Sequence, residues 1–350
     1  MKIIKYLFFL IVIIVIGLSL YIATRSGYYN VHREAVIDAP KEVVYEYIND
    51  YKKWPEWSPW IEQEPSANIS LSDSTAGINS FYHWNGDIIG EGIIKTIHSD
   101  KDSILQKIEF TKPRESQGDV YWKLSSKTPS QSIVTWGIKG ELSFLEKAIM
   151  IYKGGMDNLI GSDLERGLFK IDSLSELAIE QYTINPKGIS EYSGGYYLYL
   201  TTASKQSGIS SKMTEMFLKV KKFAKENNIT LSGPPFVLYH EWDDLNKTTI
   251  FSTCIPIREK IIPDFQSEVL CGFLDSGRYF KTVLKGNYKN IEEAWSKASQ
   301  AINTNRLVED PKRDPMEVYI TDPSKVPNPA NWITEIYIPV KKTLTLQKTF

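Results

Sequence analysis

Two glutamates stand in the middle of strand-like runs near the C-terminus, Glu317 in MEVY and Glu335 in TEIYIPV. Strand alternation sets Glu317 and Tyr319 on one face, with Met316, Val318 and Ile320 on the other. The same alternation joins Glu335 to Tyr337 against Ile336 and Ile338. A carboxylate among apolar neighbours is costly to bury alone. A docked cation offsets that cost, and tyrosine rings attract cations through their faces. The residues therefore fit either a pocket awaiting a cationic guest or an outer sheet face wetted by solvent. Tyr199, Tyr239 and Trp295 are further candidates for pocket walls, with Tyr279 and Phe280 beside them, and core packing accounts for all five equally well.

Elsewhere the chemistry is thin. His83, Asp87, Glu91 and Glu109 are the candidate acid/base groups of the first half, and none pairs a histidine with a carboxylate at a spacing that proton transfer requires. Solvent-facing positions are expected for them, and no catalytic residue is assigned. Cys254 and Cys271 belong to no CxxC or Cys/His pattern, so neither a metal nor a cofactor is expected. Both lie among apolar neighbours and read as buried free thiols, with a single disulfide the alternative in an exported chain. The formal net charge of -1 provides no field to draw in nucleic acid.

The elements that must position the glutamates form an internal repeat. One copy runs through strand-like 195–202, a helical stripe of Met213, Phe217, Val220 and Phe223, and strands 234–242 and 249–257. The other runs through strand 278–288, a stripe of Ile291, Ala294, Trp295 and Ala298, and strands 315–323 and 333–340. The spacing predicts a pseudo-symmetric, duplicated β-α-β-β domain with a ligand site at its concave junction. In the repeat Glu317 stands where the first copy has Val237, and Glu335 where it has Ser252, so the carboxylates break the symmetry. The runs GPPFVLYHEW, GRYFKTVLKGNYKNIEEAWSKA, DPMEVYITDP and TEIYIPV resemble, in that order, the GyrI-like or AraC-type effector-binding domain over 190–342. That resemblance implies a pocket for bulky, aromatic and often cationic compounds with a buried glutamate at its centre, Glu317 or Glu335 here. It also implies, for some relatives, hydrolysis of reactive cyclic compounds with a pocket glutamate as general base. No helix-turn-helix pattern accompanies it, so no nucleic-acid partner is expected.

The first half, 28–182, reads as strand, helix, a string of antiparallel strands and a long final helix over 157–181 with Leu164, Leu168, Ile171 and Leu174 on one face. VIDAPKEVVYEYINDYKKWPEWSPW, the YHWNG and GEG runs and the terminal MDNLIGSDLERGLFKIDSLSE resemble the SRPBCC superfamily in its polyketide cyclase/dehydrase, START-like or helix-grip branch. The resemblance implies a sheet wrapped on the long helix around an apolar cavity. Trp54, Trp57 and Trp60 fit either the mouth of that cavity or the edge of a core.

Residues 6–23 carry no charge, and as a helix they span about 27 Å, close to a bilayer core. The run ends without a small-x-small cleavage site, so an uncleaved anchor over 1–25 is expected rather than a signal peptide. Lys2 and Lys5 on one flank nearly balance Arg25, His32 and Arg33 on the other, leaving sidedness open. The expectation is an α+β chain with three parts, a membrane anchor and two modules binding hydrophobic or cationic aromatic molecules, followed by an unassigned tail at 343–350.

Overall fold

The computed structural model describes residues 2–341; the tail at 343–350 lies outside them. The apolar run forms α1 (Lys2–Thr24). Among the described residues it is one helix long and apolar enough to cross a membrane, and most of its side chains, Phe8, Leu10 and Ile13 included, are exposed, while Ile22 near its end is buried. The chain divides into two compact units, one ending at Ala178 and the next beginning at Ile179.

In the first unit β1 (Tyr28–Ile37) leads into α2 (Lys41–Asn49), with Pro40 as its N-cap residue, and two short helices, α3 (Trp54–Trp57) and α4 (Pro59–Gln63). Six strands follow: β2 (Asn68–Leu71), β3 (Phe81–Asn85), β4 (Glu91–Ser99), β5 (Ser103–Lys112), β6 (Ser116–Thr128) and β7 (Gln131–Glu141). All pair antiparallel in the order β1-β7-β6-β5-β4-β3-β2. Then come α5 (Phe144–Lys153) and the long α6 (Met156–Glu180). Alternation along β5 buries Ile104, Gln106 and Ile108 and leaves Leu105, Lys107 and Glu109 outside. Against that inner face α6 buries Leu164, Leu168 and Ile171. Gly167 lets the helix come close, because a Cβ there would stand 2.5 Å from the Trp136 ring.

Of the two readings of the tryptophans, Trp54 and Trp57 take the core one. Trp57 and Trp54 do not rim a cavity. Trp57 is fully buried, edge-on to Trp122 and Trp136, which stack on each other at 4.5 Å. Trp54 packs on Trp57 and Tyr51, and both indoles donate to backbone carbonyls, of Ile48 and Tyr47. The WPEWSP segment folds into two helical turns that turn these rings inward, and ring-to-ring contact is the more favourable use of that much apolar surface. Trp60 is half-buried, edge-on to Trp136, and its N–H donates to Asp163.

The second unit opens with β8 (Thr183–Tyr192) and β9 (Gly195–Lys205), then α7 (Ile209–Glu226), β10 (Phe236–Asp243), β11 (Thr248–Pro256), β12 (Leu270–Leu274), β13 (Gly277–Lys285), α8 (Ile291–Thr304), β14 (Met316–Tyr319) and β15 (Ile333–Pro339). Its eight strands form one antiparallel sheet ordered β12-β9-β11-β10-β14-β15-β13-β8. Val220 and Ala224 of α7 pack with Leu198 and Ile255, while Ala294, Ala298 and Ile302 of α8 pack with Leu284, Ile336 and Ile338. Val237, Glu317 and Ile336 are successive cross-strand neighbours, so α7 and α8 lie on the same face as Glu317. The opposite face buries Phe236, Leu238, Cys254, Tyr279, Met316, Val318 and Tyr337. Cys254 is buried and Cys271 half-buried, and both are free thiols.

Candidate functional site

Between α7 and α8 the central strands form the floor of a groove of about 1230 Å³. Met213 and Phe217 line it from α7, Trp295 from α8, and Tyr239, Glu317 and Tyr319 from β10 and β14. A volume above the usual drug-sized range suits a bulky ligand. Of the charged residues lining it, Glu317 alone is buried, at 2 % exposure, while three lysines and three other carboxylates stand at the exposed rim.

Neutral donors hold the Glu317 carboxylate. Trp295 Nε1 donates to Oε1 at 2.6 Å and the Tyr319 hydroxyl to Oε2 at 2.5 Å, with the Tyr239 hydroxyl close enough to help hold the charge. Among the described residues no lysine, arginine or histidine pairs with it. Burial pushes the carboxyl above its ordinary 4.5, and the donors from Tyr319, Trp295 and Tyr239 oppose that rise without cancelling it. Burial and the adjacent Glu317 charge push both phenols well above 10, so they remain neutral donors at physiological pH. The Tyr319 ring is flanked edge-on by Phe217 and Tyr288, and Tyr239 meets Trp295 edge-on at 5.9 Å. The result is a single buried negative group inside an aromatic wall, a setting in which an aromatic cation gains from both charge and ring faces.

A clasp holds β14 in place. Asp314 Oδ2 and His240 Nδ1 are 2.7 Å apart, His240 Nε2 and Ser252 Oγ 2.6 Å, and Ser252 bonds on to Thr201 at 2.7 Å. Backbone bonds from Tyr239 N to Pro315 O and from Tyr319 N to Pro235 O close both ends of the four-residue strand. The bulge between Tyr239 and Glu241 leaves His240 without a ladder partner and frees it for this role.

Strand register separates the two glutamates. Glu317 pairs with Ile336 and Glu335 with Val318, so Glu335 must point to the other face of the sheet. There it accepts from the Tyr337 hydroxyl at 2.7 Å and pairs with Lys281 Nζ at 2.7 Å. Tyr199 lies on that same face, against Cys254 and Phe236. Glu335, Tyr337 and Tyr199 are thus outside the groove that gathers Glu317, Tyr319, Tyr239 and Trp295, correcting the single-pocket expectation. Tyr279 and Phe280 are buried in cores on opposite faces. A Glu335→Gln substitution should leave binding of a cationic dye in the groove within about twofold and lower stability by only about 1 kcal/mol, as for a partly exposed ion pair; dye titration and urea unfolding measure both.

Sequence reading missed three groups. Met213 and Phe217 were legible only as a core stripe, and Tyr288, read as the end of the strand-like run 278–288, sits in a short 3-10 turn after β13 stops at Lys285. Glu64 is buried and accepts backbone N–H bonds from Asp87, Ile88 and Ile89, closing the turn after β3. Of the first unit's titratable residues, Glu109 is solvent-facing as expected. His83 comes within 3.6 Å of Glu91 across the β3–β4 pair, but Lys112 at 2.6 Å already holds that carboxylate, with its pKa lowered chiefly by this bond.

Residues 197–341 match the family model of the GyrI-like small molecule binding domain. The match supports a small-molecule-binding role for the second unit. It covers β9 onward and contains every groove residue named above. Among solved structures, the EcmrR C-terminal domain aligns with 19% identity over 46% of this chain and 98% of its own, at a TM-score of 0.40. An EcmrR–DNA complex aligns at 18% identity over 58% of this chain and 73% of its own, with the same TM-score. The Aha1 dimer from Colwellia psychrerythraea aligns at 11% identity over 42% and 94%, with a TM-score of 0.30. No curated protein matches the chain.

Proposed function

We propose that this chain is a membrane-anchored small-molecule-binding protein whose GyrI-like domain, over 190–342, captures bulky aromatic cations for sensing or sequestration. One observation carries the reading: Glu317 is buried, hydrogen-bonded by neutral groups, and lacks a cationic partner among the described residues. A buried carboxylate left in this state is unfavourable unless a ligand completes it. The apolar α1 supports an anchor at 1–25. A seven-stranded antiparallel sheet with a long C-terminal helix supports the START-like reading of 28–182. The order strand, helix, two strands, repeated as β9-α7-β10-β11 and β13-α8-β14-β15, supports the duplicated reading of the second unit.

The test compares a quaternary aromatic cation with its uncharged isostere. The cation is expected to bind more tightly as pH rises through the raised carboxyl pKa and Glu317 loses its proton, reaching a plateau above it, whereas the isostere shows no such slope. Fluorescence titration from pH 4 to 8 reads both. Equal affinities at every pH would remove the carboxylate from recognition. The raised pKa beside two neutral phenols favours a second reading, a hydrolase or cyclase with Glu317 as general base. Turnover of a bound ligand, lost in a Glu317→Gln variant, would select it.

A further inference from the structure

We propose that α5 is a second membrane contact, an interfacial helix that lies in the lipid headgroup region beside the exit of α1. This rests on the reading of α1 as a membrane anchor. The helix is well made, with a Ser143–Glu146 capping box at its start and Gly154 in the left-handed conformation at its end. Yet it buries no residue. Phe144, Leu145 and Ile151 are each about half exposed and Tyr152 is 93% exposed. At 100° per residue these four span about 120°, and with Ala148 and Ile149 one apolar arc of about 160°, bordered by Lys147 on one side and Lys153 on the other. An apolar arc edged by lysines is the pattern of a helix lying in a membrane interface.

The position of the helix commits the occupant to lipid. Strands β1 and β7 are neighbours, and Tyr28 pairs with Glu141 at one end of the ladder. From that same end α1 leaves upstream of Tyr28 and α5 leaves downstream of Glu141, with Leu142 N donating to Gly27 O at 2.8 Å. Lys147 of α5 then donates to the carbonyl of Arg25 at 3.0 Å, capping the end of α1. That end is marked as an interface by its own residues. The Arg25 guanidinium lies 4.5 Å from the Tyr21 ring centre and donates to its hydroxyl, a charged and aromatic pair suited to headgroup level. Tied to this level, the exposed arc of α5 meets the plane where α1 enters the bilayer.

The full chain, reconstituted in phosphatidylcholine/phosphatidylglycerol vesicles, tests this with nitroxide labels at single accessible cysteines, Cys254 being buried. Cys271→Ser removes the half-buried thiol, and Leu145→Cys, Tyr152→Cys, Ile13→Cys and Lys127→Cys each add one exposed site. Lys127 lies near the opposite end of the β6–β7 ladder from α5. Labels at 145 and 152 are expected to collide severalfold more often with oxygen than with a water-soluble nickel chelate, like the label at 13 and unlike the label at 127. If the label at 13 behaves as lipid-exposed while those at 145 and 152 match 127, the interfacial helix is refuted and the anchor stands. Low collision with both reagents at 145 and 152 means that protein covers the face, which also refutes it. A water-like label at 13 overturns the anchor and this proposal together.

Discussion

Replacing Glu317 with glutamine should weaken binding of an aromatic cation by at least about 30-fold while making the ligand-free protein more stable. The first effect follows from removing one member of a desolvated charge pair, which costs about 2 kcal/mol or more. The second has the opposite origin. Burial raises the Glu317 carboxyl above 4.5, so the folded chain holds its proton more tightly than the unfolded chain. The stability linked to this group is complete below the unfolded value and is lost as pH rises through the raised folded value. Above that pH the empty groove holds an unpaired charge. Glutamine keeps an acceptor for Trp295 and has no charge to bury, so the gain should be about 1–2 kcal/mol at pH 8, a few degrees in Tm, shrinking to nothing near pH 4. Calorimetry across that range, with dye titration on the same samples, measures both. A variant that binds the cation as tightly as the parent would remove Glu317 from the site, and one with unchanged stability at pH 8 would mean that its charge is already compensated.

Trp57→Ala should be the most damaging single change in the first unit, lowering its stability by about 3–5 kcal/mol. Trp57 has no exposed surface, touches the Trp122–Trp136 stack edge-on and donates to the Tyr47 carbonyl. Its removal opens a void that three other rigid rings cannot collapse to fill. Against a domain stability of about 5–15 kcal/mol, that loss brings the unit close to unfolding, and the near-UV circular dichroism of its aromatic cluster should fade at much lower urea. A residue at a cavity mouth would behave differently, with stability within about 0.5 kcal/mol of the parent and loss only of apolar probe binding. That outcome would return Trp57 to a binding role.

Much of the groove was legible because strand alternation is local. Glu317 and Tyr319 share a face for reasons contained in four consecutive residues, and the helical stripes of α7 and α8 follow from spacing alone. Register is not local. Whether Glu335 joins Glu317 depends on which residue of β15 faces which residue of β14, and a one-residue offset reverses the answer. Tyr288 escaped because the strand-like reading ran on through it, whereas β13 stops at Lys285, and Trp57 because a proline-rich aromatic run does not disclose which way its helical turns face. The segment that became α5 is too short to declare its amphipathic pattern against the longer runs around it. The family match over 197–341 falls within the 190–342 over which the sequence runs resemble that domain.

The position of β8 bears on how the second unit can be isolated. It precedes the matched segment in sequence, yet it pairs with β13 along nine residues, and Ile184 packs into the core beneath α8. A fragment cut at Tyr197 would therefore leave β13 with an open row of amide and carbonyl groups and an apolar seam. Such a raw border invites strand exchange between molecules and precipitation. The smallest piece that keeps β13 paired and its apolar seam covered begins before Thr183.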